Sequence, residues 1–310
     1  MKKKIFVLVA IVMLVLTGCT KTLTDDKGNR VVNKETGQNL TSNILCQPED
    51  KTLLAQYKKN EKNLEFKIEE LPKCTKMKVY EKKSYNGLWV ALFVRPLAWC
   101  IIQLGKLIGN YGLSVMICGL IIRVILMPFS AKTVKQSENM KKAQPEIAKI
   151  ENKYKDKTDQ DSMMKKSQET LMVYKKYNIN PMSSCLVSLI QLPLFFAFLE
   201  AINRVPAIFE NSFLTFQLGT SPIVGIQNGN YYYIILIVLI VLFTALSFKF
   251  SMSSMGNTEQ AKQSKFMLIF MTVFIGIASI QLPSAIALYW VVTNAFNVVQ
   301  TLILKRGSNE

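Results

Sequence analysis

The sequence predicts an all-α polytopic membrane protein: a five-transmembrane-helix bundle with an outer interfacial helix and a cytoplasmic helical hairpin. Two observations lead there. Half of the 310 residues are hydrophobic and are gathered into long blocks separated by lysine-rich stretches. A chain that crosses a bilayer repeatedly has this pattern; one that closes a single soluble core does not. The formal charge of +17 comes from 38 Lys and Arg against 21 Asp and Glu. Membrane proteins keep such a basic excess on cytoplasmic loops that face anionic lipid. DNA is not an expected partner, although ribosomal RNA can meet a basic cytoplasmic arm.

Residues 1–18 read as a signal peptide. Met1 is followed by Lys2, Lys3 and Lys4 and then by an apolar run over 5–16, which gives a charged start and a hydrophobic stretch too short to span comfortably. Leu16-Thr17-Gly18-Cys19 resembles the lipobox of bacterial lipoproteins, so Cys19 is the expected lipidation site and would carry a palmitate-type acyl chain. Residues 19–86 then form a lipid-anchored extracellular segment. From 20 to 84 it is rich in Lys and Glu without sustained periodicity, as in a tether or a loosely folded piece. Cys46 and Cys74 lie in it, and the sequence allows either a disulfide or two thiols.

Five apolar blocks can span the membrane: 111–129, 182–202, 231–248, 266–280 and 284–304. They define a core over 109–304, and the fourth is short for a span of ~20 residues. Loop charge sets the orientation. Residues 132–178 carry twelve lysines, whereas 203–230 hold Arg204 as their one basic residue, so the first stretch belongs in the cytoplasm and the second outside. With an exported amino terminus, five spans satisfy this. A sixth, over 87–108, would reverse it. That segment, with Arg95-Pro96 near its middle, is therefore expected to be an amphipathic helix in the outer interface, anchored by Trp89, Phe93 and Trp99. Lys249, Lys262, Lys265 and the 305–310 tail then fall in the cytoplasm.

Within 132–178, Met140, Ala143, Ile147, Ile150 and Tyr154 recur at alternating steps of three and four, which is a coiled-coil seam. Met164, Leu171 and Tyr174 supply the facing stripe, and Asp156, Thr158, Asp159 and Asp161 supply a polar turn with good helix-capping residues. The result is an antiparallel hairpin that serves as a docking arm or a lever.

Catalytic chemistry finds few parts. There is no histidine and no aspartate beyond Asp161, which removes His-based zinc sites, Ser-His and Cys-His dyads and a membrane aspartyl pair. No phosphate-binding glycine loop is present. What stands out is Arg123, between Leu120-Ile121-Ile122 and Val124-Ile125-Leu126. It lies about 13 Å of helix short of Lys132, in the inner half of the bilayer. Placing an arginine there costs about 2.5–3.5 kcal/mol, so it normally faces a bundle interior or a wet cavity. No acidic residue stands at that depth in the other blocks, which points to a charge presented to something that arrives. Snorkelling to the cytoplasmic surface is the other reading. Gln191 is suited to share a wet cavity with Arg123. Thr293, Asn294, Asn297 and Gln300 suit helix–helix hydrogen bonds. Pro193 suits a kink and Pro283 a tight turn.

Four groups of residues, in order, resemble the Oxa1/YidC/Alb3 family of membrane protein insertases, in its Gram-positive lipoprotein form. Tyr111-Gly112-Leu113-Ser114 leading to Ile121-Ile122-Arg123-Val124 and Met127-Pro128 is similar to its first core span. Gln144-Pro145-Glu146-Ile147 and Lys153-Tyr154-Lys155-Asp156 resemble its hairpin. Tyr177-Asn178-Ile179-Asn180-Pro181-Met182 and Leu189-Ile190-Gln191-Leu192-Pro193-Leu194-Phe195 match its second span, and Leu282-Pro283 with Leu288-Tyr289-Trp290-Val291-Val292 and Asn294 its last. The resemblance implies a five-helix bundle around a hydrophilic groove open to the cytoplasm and to lipid. Arg123 would be the groove charge, with Gln191, Trp290 and Asn294 in the client-binding lining. It implies no cofactor and no covalent reaction. The implied partners are nascent membrane protein clients and lipids, with the Sec translocon and ribosome as associates. The implied place is the bacterial plasma membrane, with the amino terminus outside and the carboxyl terminus in the cytoplasm. Residues 20–84 carry no motif of the family, and the long basic tail of some members is not expected after Lys305. A solute transporter using Arg123 as an anion site would bring paired repeats or broken helices, and neither is seen in the sequence. A purely structural assembly factor is the third alternative.

Overall fold

A computed structural model describes residues 20–80, 87–180, 193–252 and 259–306. The expected signal peptide over 1–18, Cys19, Gln191, the start of the second apolar block and the residues after Arg306 lie outside the described residues. The chain divides into two compact units. One comprises Met1–Leu120, Gln191–Ile237 and Ser279–Trp290, the other Ile121–Ile190, Val238–Ala278 and Val291–Glu310.

The first unit opens with the polar segment, and here the expectation of a loose tether is overturned. Leu23, Leu40, Ile44, Leu53, Tyr57, Ile68 and Leu71 form one buried cluster, and Cys46 and Cys74 are joined in a disulfide with Cα atoms 4.7 Å apart. Helix α1 (Lys51–Lys59) starts where the Asp50 carboxylate accepts the Leu53 N–H. These apolar residues are too scattered to show a period, yet a small module with a cross-link needs only a few of them.

Helix α2 (Arg95–Ile108) continues from a π-turn over Val90–Val94. The widened turn lies just before Pro96, which has no N–H to give the carbonyl one turn back. Gly109, at φ 76°, ends α2 in the left-handed conformation. Helix α3 (Tyr111–Ile125) and helix α4 (Met127–Lys153) meet at a 60° bend. The expected 111–129 span is therefore bent between Ile125 and Met127. Pro128 lies at the break, where its ring and missing N–H stop the α3 ladder.

Helix α5 (Gln160–Lys176) pairs with α4, and the Asp159 carboxylate caps it by accepting the Ser162 N–H. Ala143, Ile147, Val173, Tyr174 and Ile179 form the buried seam, with Met140, Ile150 and Tyr177 against it. Lys153 pairs with Glu169 and Lys176 with Glu146, so the helices run antiparallel. The expected facing stripe was partly misplaced. Met164 is 53% and Leu171 51% exposed, while Val173 takes the inner position. Tyr174 lies in the seam as expected.

Beyond helix α6 (Pro193–Asn203) come α7 (Pro206–Phe209), strands β1 (Ser212–Phe213) and β2 (Phe216–Gln217) and helix α8 (Pro222–Gln227). The strands pair antiparallel around a two-residue turn in which Leu214 takes φ 53°. Helices α9 (Tyr233–Met252), α10 (Glu259–Gln281) and α11 (Ser284–Arg306) complete the chain. Pro283 sits in the tight turn between α10 and α11, as expected. The 266–280 block is longer as a helix than its apolar stretch, because α10 begins at Glu259. Among the described residues, Val90–Ile108, Tyr233–Phe250 and Ser284–Leu304 are long and apolar enough to cross a membrane, and the bent α3–α4 pair adds a fourth if counted as one span.

Candidate functional site

Arg123 is in the last turn of α3, half-buried, where the helix's unsatisfied carbonyls favour a cation. Two residues later the chain bends. Arg123 has an interaction of its own within the protein.

Trp290, on α11 in the first unit, lies face to face with Phe195 at 5.2 Å between ring centroids and 4° between planes. One turn on, in the second unit, Asn294 donates its amide to Thr244 Oγ at 3.1 Å, and Asn297 donates to Ser247. These bonds form a polar ladder between α9 and α11, the helix–helix role expected for this face. Gln300 extends the stripe. It is 3% exposed, and neither its amide nitrogen nor its oxygen has a hydrogen-bond partner among the described residues. Buried amides are seldom left in that condition. Gln191 lies outside the described residues.

A second polar cluster, in the first unit, went unnoticed in the sequence. Arg204 and Glu200, one helical turn apart, pair at 2.7 Å with side chains 1% and 5% exposed. The other Glu200 oxygen accepts the Trp89 indole N–H at 2.9 Å. Arg204 Nε donates to the Asn43 carbonyl at 2.6 Å, and its own carbonyl accepts the Leu45 N–H at 2.8 Å. Trp89 is therefore 8% exposed and is no interfacial anchor; Phe93 and Trp99 remain exposed. The signal that could have found this cluster was the Glu–Arg spacing of four at the end of an apolar helix. Nearby, Glu210 accepts the backbone N–H groups of Glu49 and Asp50 at 2.8 and 2.9 Å. Burial pushes its carboxyl above the usual range, and those two bonds oppose the shift.

These features describe a helical, multi-pass membrane protein with polar groups placed in apolar helices. No cluster of three or more metal-ligating side chains occurs among the described residues. Residues 103–310 match the family described as the 60Kd inner membrane protein. The chain is 37% identical over 238 residues to the membrane protein insertase YidC of Oceanobacillus iheyensis, covering 75% of this chain and 90% of that one. It is 36% identical over 233 residues to the membrane protein insertase MisCA of Bacillus subtilis, covering 75% and 85%. Against YidC 2 of Listeria innocua it is 39% identical over 223 residues, covering 72% and 74%. It also resembles a solved structure described as an active YidC insertase with the first transmembrane domain resolved. There the TM-score is 0.52 at 26% identity, over 70% of this chain and 47% of that one. The chain belongs to the Oxa1/YidC/Alb3 family of membrane protein insertases.

Proposed function

We infer that this chain is a membrane protein insertase that receives hydrophobic segments of nascent membrane proteins and helps them enter and fold in the plasma membrane, alone or beside the Sec translocon. The observation that carries this is an arginine in the last turn of an apolar helix, in a chain related to named insertases over most of its length. The client's own transfer into lipid supplies the free energy. The protein lowers the barrier by offering polar groups to the client's hydrophilic flank in a place where hydrocarbon would offer none. Such a process needs no cofactor and makes or breaks no covalent bond.

In finer detail, five spans enclose a hydrophilic groove. Arg123 attracts acidic parts of a client's exported tail, and Gln191, Trp290 and Asn294 line the path. Residues 1–18 are removed and Cys19 is acylated, which anchors the amino terminus outside. The α4–α5 hairpin and the carboxyl terminus face the cytoplasm, where their lysines can meet the ribosome. Helix α2 lies in the outer interface. The residue before its π-turn, Trp89, links to the 20–80 module through Glu200, Arg204 and Asn43, and the last turn of α2 reaches the same module where Lys106 donates to the Thr75 carbonyl at 2.8 Å. A helix that crossed the bilayer would not bring both ends to one exported module.

The test is reconstitution into liposomes with a single-span client bearing a short exported tail. Insertion well above that in protein-free liposomes is expected. Equal insertion in both, or solute flux without insertion, would refute the reading.

A further inference from the structure

We propose that residues 20–80 are a clamp that locks the outer end of helix α6 and the loop after it, and that this lock supports insertion; the second half rests on the insertase reading. The module has its own core, but it does not stand alone. Asn33, Thr36, Gln38, Thr41, Ser42 and Asn43 are each no more than 8% exposed, although their side chains lie outside the apolar cluster. Polar residues buried in succession without joining a core are covered by something else.

Over Gln38 and Asn43 the cover is the 200–227 region. A side-chain carbon on Gly37, which has φ +69°, would stand 2.5 Å from Val224, and one on Gly219 would stand 2.7 Å from Gln38 Oε1. Close approach has consumed the space at both positions. Three sets of bonds then fix the fit. Arg204 and the 43–45 stretch exchange bonds in both directions, Glu210 takes two N–H groups at the start of α1, and Lys106 reaches Thr75.

The coupling lies in Arg204. Its guanidinium is shared between Glu200, one turn back on α6, and Asn43 of the module. Were the module to leave, a buried cation would lose a partner and the Leu45 N–H and Arg204 carbonyl would each lose theirs. Departure therefore requires α6 to shift until Arg204 reaches water. The Cys46–Cys74 bridge holds the docking stretch in place, because Cys46 follows Leu45 directly and the Gln47 N–H meets the Pro72 carbonyl at 2.9 Å.

The full chain in liposomes tests this with two variants, Arg204→Gln and Glu210→Ala, the second leaving the Glu200–Arg204 pair intact. Trypsin added outside should cut within 51–67 at least ten-fold faster in each variant than in wild type, with cutting in the α4–α5 hairpin of opened vesicles unchanged. Client insertion should fall at least three-fold. Wild-type cleavage rates in both variants would overturn the docking role, and fast cleavage with wild-type insertion would overturn the lock. If the wild type inserts no more client than empty liposomes, the insertase reading fails, while faster cleavage of the variants still supports the docking.

Discussion

Arg204 and Glu200 form a salt bridge at 2.7 Å with both side chains almost wholly buried, 1% and 5% exposed. Breaking such a pair from one side leaves an uncompensated charge and typically costs about 3–5 kcal/mol, whereas replacing both partners with apolar groups of similar volume is close to neutral. Glu200→Ala is therefore expected to lower the melting temperature of the purified protein sharply. Glu200→Leu combined with Arg204→Met is expected to recover a good part of the loss, although the Asn43 carbonyl stays without its donor. Scanning fluorimetry in detergent measures both, and an unstable double variant would contradict the expectation.

Replacing Cys46 and Cys74 together with serine is expected to destabilise the 20–80 module by roughly 2–5 kcal/mol, the usual range for removing a native disulfide from a small secreted domain. Hydrogen exchange followed by mass spectrometry should show faster exchange over 40–72, with α9 and α11 unchanged.

The hairpin should depend on pH in a defined window. Hydrogen bonds from Lys176 and Tyr177 hold the Glu146 carboxyl below its ordinary 4.5, and those from Lys153 and Tyr154 do the same for Glu169. Depressed carboxylate values mean that this stabilisation is present above 4.5 and is lost as pH falls through the folded-state values below it. The same pairs hold Lys153 and Lys176 above 10.5, so at the alkaline end the stabilisation is lost as pH rises through their folded-state values above 10.5. The pairs are exposed and each contributes little, so a modest loosening is expected at the extremes. Spin-label distances between α4 and α5, recorded in the full chain, should broaden below pH 4.5 and above pH 10.5 and stay constant between them.

The seam itself separates the two readings of the hairpin's inner face. Ile147, at 3% exposure, should lose about 2–4 kcal/mol of local stability on substitution with alanine. Leu171→Ala and Met164→Ala, both more than half exposed, should stay within about 0.5 kcal/mol. Protease sensitivity of the hairpin in the full chain ranks them, and equal effects would mean that Leu171 is a seam residue after all.

The apolar blocks were legible because a bilayer imposes a length and a composition on any segment that crosses it, and Pro283 and the Asp159 cap were legible because each obeys a local rule. Three things were not. The fold of 20–80 rests on scattered residues such as Leu23, Leu40 and Tyr57 that meet only in space. The bend after Ile125 depends on Pro128, which was read as part of a span because the residues around it are apolar. On α5 Tyr174 was legible, but Met164 and Leu171 are as apolar as Val173, and only the partner helix decides which of them it covers. For the site, Arg123 announced itself by its cost in hydrocarbon, whereas Arg204 sat in a segment taken for an outer loop and showed its burial only once the module was placed against it.

The insertase proposal turns on Arg123 meeting the client. Purified wild type, Arg123→Lys and Arg123→Glu proteins, each reconstituted into liposomes and given a single-span client with either an acidic or a neutral exported tail, test it most directly. The expected result is that Arg123→Lys keeps much of the wild-type insertion, while Arg123→Glu loses it, most severely for the acidic tail. Equal insertion by both variants, with no dependence on tail charge, would contradict the account and leave Arg123 as a residue that snorkels to the membrane surface.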